Sequence, residues 1–167
     1  MDYFLSEEQQ MIVDVARQIT DEMIVPQRAE LDETEDYPRD ILTAIANADL
    51  YGLYIPEEYG GLGGGCFEIV LALEQFARGC TGVATAFAAS ALGAYPILIS
   101  GSEELKQKYM PLIASGEKLA AFALTEANAG SDASGIQTTA VLDGDEWVLN
   151  GTKQWITNAG EAQIYTV

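Results

Sequence analysis

The chain contains no histidine. Within it, that excludes a Ser-His triad, an imidazole general base and most zinc sites. Basic side chains are scarce: 8 lysines and arginines stand against 26 aspartates and glutamates, a formal net charge of −18. Such a surface repels phosphate backbones and anionic lipid, so no nucleic acid and no membrane is expected as a partner. Cysteine is limited to Cys66 and Cys80, which form no CxxC pair and have no metal-ligand spacing, so no metal site is expected. Two free thiols and an acidic N-terminus, MDYFLSEEQQ, without signal- or transit-peptide character point to a reducing, cytoplasmic setting. Long apolar runs are missing too. The Ala-rich stretch 83–99 is interrupted by Gly93 and Pro96, so no bilayer span is expected.

What is present is a globular composition. The chain has 167 residues, 49% of them hydrophobic and 20% charged, enough for one domain-sized core. Ser6-Glu7-Glu8-Gln9 is a capping box opening a helix with Met11, Ile12, Val15, Ile19 and Met23 at helical spacing. Pro26 should kink or split that helix, because it cannot donate to the Glu22 carbonyl. LDETED reads as an acidic connector. Pro38 opens a second helix, with Ile41, Leu42, Ile45 and Ala48 on one stripe and Gly52 as its stop. Residues 51–66 read as a flexible loop. Their GGLGGG run does not fit GxGxxG, because the last glycine would fall on Cys66 or Glu68. A third helix is expected over 67–77, apolar at Ile69, Val70, Leu73 and Phe76. A fourth, nearly uncharged helix is expected over 81–100, and a fifth from Ser102, closed by Pro111 and Gly116. Strands are then expected at 119–125, 136–142, 146–150, 152–157 and 162–167, with Asp143-Gly144 and Asn150-Gly151 as hairpin signals. The fold class is therefore α+β: an all-α domain over 1–116, followed by the first part of an antiparallel β-barrel-like domain over 117–167. The last strand has nothing to pair with on one side, which suggests a fragment of a longer protein.

The most informative stretch is LAAFALTEANAGSD, Leu119 to Asp132. A short apolar strand runs into a polar turn. Thr125 offers a backbone N–H and a hydroxyl to a polar ring edge. Gly130 lets backbone approach a bulky group, and Ser131 with its neighbouring N–H groups can donate to phosphate oxygens. By residue type alone the turn is also an ordinary loop, Trp155 a strand aromatic and Thr157 a β-branched strand residue. The small side chains of the fourth helix likewise suit close helix packing.

The whole string resembles the flavin-binding segment of the acyl-CoA dehydrogenase family. Three further segments agree in family order: Ile55-Pro56-Glu57-Glu58-Tyr59-Gly60-Gly61-Leu62-Gly63, Gly79-Cys80-Thr81-Gly82-Val83, and Gly151-Thr152-Lys153-Gln154-Trp155-Ile156-Thr157-Asn158. The likeness runs from Ser6 to Val167 and is nearest to short- and medium-chain members. It implies FAD as cofactor, acyl-CoA as substrate and an electron-transferring flavoprotein as acceptor. The reaction would remove the thioester α-proton and pass the β-hydride to flavin N5. Phe122, Leu124, Thr125, Gly130, Ser131, Trp155, Ile156 and Thr157 would bind the cofactor. Leu124 and Thr125 would meet the pyrimidine edge, Ser131 the pyrophosphate, Trp155 the ring face and Thr157 N5. Ser131, Ala84, Thr85 and Ala88 would line the substrate. Two positions depart from the family pattern: Ala127 stands where proline is usual and Phe122 where tyrosine is frequent. No catalytic residue matches within the chain. Glu126 belongs to the turn, and the base, the remaining FAD contacts and a C-terminal helical domain are expected beyond Val167. The isolated chain is therefore expected to be inactive. A full-length protein is expected to form a homo-oligomer, while the assembly of this chain is open. An acyl-CoA oxidase or flavin monooxygenase on the same fold, and a non-catalytic acyl-CoA-binding or flavin-binding module, are the alternatives.

Overall fold

A computed structural model describes residues 4–167; Met1 to Tyr3, the start of the acidic N-terminal stretch, lie outside it. Helix α1 (Glu7–Ile19) begins at the expected capping box. The Ser6 hydroxyl accepts from the Gln9 N–H at 3.1 Å, and the Gln9 side chain accepts from the Ser6 N–H at 3.1 Å. Its inner face is Val13, Ala16 and Ile19, whereas Met11 points outward. The chain does not break at Pro26. It widens into a π turn, Thr20–Ile24, and continues as α2 (Val25–Thr34) with the proline in its first turn. The Val25 N–H bonds to the Thr20 carbonyl five residues back, and this widened turn accommodates the N–H that Pro26 lacks. The buried Thr20 hydroxyl donates to the Ala16 carbonyl at 2.7 Å, a back-bond that favours such a bend. Four of the six residues of the expected acidic connector, Leu31 to Thr34, are thus helical, and the helix ends at Glu35 in the left-handed region.

Helix α3 (Arg39–Asn47) has Pro38 as its N-cap and buries Ile41, Leu42 and Ile45. It stops before Gly52, because Asp49 takes a φ of 58° and the chain tightens into a 3-10 turn over Leu50–Tyr54. The first part of the expected flexible loop 51–66 is in fact a core segment: Tyr51, Leu53, Tyr54, Ile55 and Tyr59 are all buried, whereas residues 60–66 lie at the surface. Glycine is needed there for close approach, since a Cβ on Gly61 would lie 1.9 Å from the Ile55 carbonyl oxygen.

Helix α4 (Cys66–Gly79) buries Ile69, Leu71, Ala72 and Phe76, while Val70, expected inside, faces outward. Helix α5 (Thr81–Ser100) runs unbroken through Gly93 and Pro96. At 20 residues it is long and apolar enough to cross a bilayer, contrary to expectation, and half of its most apolar stretch is buried in the fold. It packs against α4, α6 (Glu103–Ala114) and the first strand. Gly93 serves that packing: a Cβ there would lie 2.8 Å from both Ala120 Cβ and the Ala121 nitrogen. Phe87 on α5 sits between Tyr51 and Phe76, with ring centroids 5.0 and 5.3 Å away. In α6, Ser102 caps the start and the helix passes Pro111 before ending at Ala114.

Beyond Gly116 there are two small sheets. Strands β1 (Ala120–Phe122) and β4 (Ile164–Thr166) pair in parallel. Strands β2 (Thr139–Asp143) and β3 (Glu146–Asn150) form an antiparallel hairpin. The hairpin turns at Gly144, which supplies a φ of 63°. The architecture is α+β as expected, but among the strands of the described residues only β2 and β3 pair antiparallel, beside an isolated antiparallel bridge between Glu126 and Ala129. A long crossover separates β1 from β4, and that permits the parallel pair. No strand forms over 152–157, and Asn150-Gly151 is not a hairpin turn.

Candidate functional site

The strand β1 emerges from beside α5 and ends in the Thr125–Ser131 turn. Glu126 holds that turn. Its carboxylate accepts from the Lys153 ammonium at 2.8 Å, the Gln137 N–H at 2.8 Å and the Thr138 N–H at 3.0 Å. Lys153 also donates to the Leu124 carbonyl at 2.9 Å, and the Gln154 N–H donates to the Thr125 carbonyl at 2.9 Å. One carboxylate thereby ties together residues 124–126, 137–138 and 153–154. Lys153 first, then the Thr138 hydroxyl and the Gln137 N–H, hold the Glu126 carboxyl down at about 2. A group so acidic and so fully engaged is a poor proton acceptor and a good structural anchor. Because the folded value lies below the usual 4.5, its contribution to stability is present above pH 4.5 and is lost as pH falls towards 2. Glu126→Gln is therefore expected to lower the melting temperature at pH 7. Its deficit relative to the wild type should shrink between pH 4.5 and 2. Melting curves across that range test this, and a deficit unchanged down to pH 2 would refute it.

The second limb is 151–158, drawn alongside the first by the Thr125–Gln154 bond. Its backbone cannot be a strand, since Trp155 and Asn158 both take left-handed conformations, with φ of 59° and 66°. Trp155 is 82% exposed, so it is not the core aromatic that a strand would make of it. Thr157 is exposed and Ile156 half-buried, while Asn158 is buried. The Asn158 amide donates to the Ala86 carbonyl on α5 at 2.9 Å and accepts from the Tyr37 hydroxyl at 2.8 Å. Arg39 Nε donates to Glu161 at 2.9 Å, so Tyr37, just before α3, and Arg39, its first residue, each hold the 158–161 turn.

Of the expected cofactor residues, Phe122, Leu124 and Thr125 are half-buried along the β1 exit, and Gly130 and Ser131 are exposed on the turn. A Cβ on Gly130 would meet nothing within 4 Å, so the turn is open to a ligand on that side. Thr85 and Ala88 share the open face of α5 with Leu92, whereas Ala84 is buried and stands apart from them. A cleft of about 740 Å³ lies between α2, the start of α3 and the start of α5. Arg28, Tyr37, Cys80 and Val83 are among its walls, and Thr157 and Asn158 reach into it. Sequence reasoning assigned no role to Tyr37, Lys153 or Asn158. The usable signal was Asn158-Ala159-Gly160, a turn-type run that conflicts with a strand.

These residues fit FAD. A large aromatic side chain held outward on strained backbone, beside a turn of hydroxyls and N–H groups, offers a wall for a flat ring and donors for its polar edge. Comparison with known proteins agrees. The family model for the acyl-CoA dehydrogenase N-terminal domain matches residues 6–117, and that for the middle domain matches 121–167. The chain belongs to the acyl-CoA dehydrogenase family, whose members depend on FAD. A probable acyl-CoA dehydrogenase of Bacillus subtilis, YngJ, is 40% identical over 100% of this chain and 44% of its own length. Among solved structures, butyryl-CoA dehydrogenase from Megasphaera elsdenii is 38% identical with a TM-score of 0.92, matching 99% of this chain and 44% of that one. A structure reported for the electron transferring flavoprotein of Acidaminococcus fermentans, in work on flavin-based electron bifurcation, gives 42% identity and a TM-score of 0.94 over 99% of this chain and 44% of its own. An acyl-CoA dehydrogenase from Bacillus anthracis complexed with FAD gives 40%, 0.89, 98% and 28% respectively. The chain thus spans less than half the length of the relatives it matches.

Proposed function

We propose that residues 1–167 supply one wall of the active site of an FAD-dependent dehydrogenase acting on linear, short- to medium-chain acyl-CoA thioesters. The observation that carries this is the joining of the 125–131 turn to the outward-facing Trp155 through the Thr125–Gln154 hydrogen bond. Bound at this place, FAD supplies the acceptor for the hydride removed from the acyl β-carbon. Trp155 would pack on the ring, Thr157 and Thr125 would donate along its edge, and Ser131 would donate towards the pyrophosphate. Donors fixed before the reaction favour the negative charge that develops on the ring edge. Leu124 would meet the pyrimidine edge with its backbone, Phe122 and Ile156 would close the apolar side, and Thr85 and Ala88 would border the acyl chain. Glu126 keeps the turn in shape and takes no proton.

The α-proton is removed by a base outside these residues. Electrons pass to an electron-transferring flavoprotein, and the protein works as a homo-oligomer in the cytoplasm. The division at Gly116 sets the helical wall, 1–116, against the β-domain, 117–167. The likeness to butyryl-CoA dehydrogenase supports the short-chain reading, and the structure from work on an electron transferring flavoprotein supports the acceptor.

The test is anaerobic titration of the complete flavin-loaded protein with butyryl- and octanoyl-CoA. Bleaching of the flavin absorbance, and its recovery on adding an electron-transferring flavoprotein, is the expected result. A chain limited to residues 1–167 is expected to leave both thioesters unchanged. A complete protein that bleaches only with glutaryl- or isovaleryl-CoA refutes the substrate class, and direct reoxidation by oxygen at the rate of turnover refutes the acceptor.

A further inference from the structure

We propose that Tyr37 and Asn158 are positioning residues. Together they form a buried tether by which the helical part of the chain sets the attitude of Trp155 and Thr157 towards the flavin. The inference rests on the proposed function for its flavin partner, but its geometry stands by itself. Asn158 is 6% exposed, although its neighbours Thr157 and Ala159 are both exposed. Its amide group is used from both sides. Nδ2 donates to the Ala86 carbonyl at 2.9 Å, and Oδ1 accepts from the Tyr37 hydroxyl at 2.8 Å. A second, longer contact from Nδ2 reaches the Ala120 carbonyl at 3.5 Å. One side chain therefore meets helix α5, strand β1 and the segment just before α3, three pieces far apart in sequence.

The orientation of that amide follows from its partners. Ala86 offers only a carbonyl, so the NH₂ must face it, and the oxygen is left for a donor. Tyr37 is that donor. Burial first, and the Glu161 carboxylate next, push its phenol up to about 12, so it remains protonated at any ordinary pH. The backbone needs this hold. Both Trp155 and Asn158 sit in the left-handed region; asparagine tolerates it, but a bulky tryptophan occupies it only when its surroundings fix it. Between these two positions lie Ile156 and Thr157. Fixing Asn158 from below thus fixes the exposed hydroxyl and indole above it.

The test uses Tyr37→Phe, which deletes the donor and keeps the ring, and Asn158→Gly, which deletes the amide and keeps a residue suited to positive φ. In the complete protein without flavin, amide hydrogen exchange over residues 155–161 is expected to quicken about tenfold in Tyr37→Phe, the weight of one hydrogen bond, and further in Asn158→Gly. Tyr37→Phe should melt close to the wild type. With FAD bound, its flavin absorption band and reduction potential should shift, and kcat should fall by about tenfold while KM for the thioester holds. A flavin-loaded wild type whose Tyr37→Phe variant matches it in exchange, spectrum and kcat overturns the tether alone. So does a loss of kcat that follows a loss of melting temperature. A wild type that takes up no FAD overturns the proposed function instead.

Discussion

Replacing Phe87 by alanine is expected to destabilise the fold by about 3–5 kcal/mol, the range for truncating a fully buried aromatic. Phe87 is 0% exposed and lies between Tyr51 and Phe76 at ring distances of 5.0 and 5.3 Å. The space it vacates cannot collapse easily. Tyr51 is held in a 3-10 turn, Phe76 in α4, and α5 is kept in register by the contact of Gly93 with β1. The edge-on contact with Phe76 and the tilted contact with Tyr51 add to the loss beyond area alone. Phe87→Leu, which keeps an apolar side chain in the space, should cost less. Denaturant unfolding reads this as a lower midpoint with unchanged slope. A loss below about 1 kcal/mol would show that the three rings are not the centre of the core. The consequence would reach the site, because the residue before Phe87 is Ala86, whose carbonyl receives Asn158.

The elements that could be read from the sequence are those whose cause is local. The Ser6–Gln9 box, the Ser102 cap, the uncharged run of α5 and the turn at Gly144 each carry their explanation within a few residues. The misreadings have distant causes. Residues 51–59 look like loop because Gly, Tyr and Pro dominate them, yet α3, α5 and α6 close over them, and burial overrides composition. The alternation in 152–157 suggests a strand, but its hydrogen bonds go to Thr125 and Leu124 and its backbone turns left-handed. Val70 falls on a plausible apolar stripe and still faces out, because a helix's inner face is chosen by its neighbours. The expected cofactor residues stood out as a motif; the Tyr37–Asn158 hydrogen bond did not, since a tyrosine 121 positions away from its partner leaves no spacing to recognise.

Trp155→Gly is expected to separate binding from folding with opposite signs. Trp155 is 82% exposed with a φ of 59°, so its ring adds little to the fold while its backbone is strained. Glycine relieves about 1–2 kcal/mol of left-handed strain and gives back about 0.5–1 kcal/mol through the freer unfolded chain. The variant without flavin should therefore melt at or slightly above the wild type. Its affinity for FAD should fall by about thirtyfold or more, since a centrally placed aromatic anchor is worth about 2 kcal/mol or more in a binding site. Trp155→Phe keeps a ring over the same place and should retain most of the affinity, while sharing none of the relief from strain. Flavin fluorescence titration and melting curves on the same samples give both readings. A Trp155→Gly protein that loses stability and keeps its flavin would mean that the indole packs against the protein's own residues rather than the cofactor. The outward, strained conformation would then have no ligand to account for it.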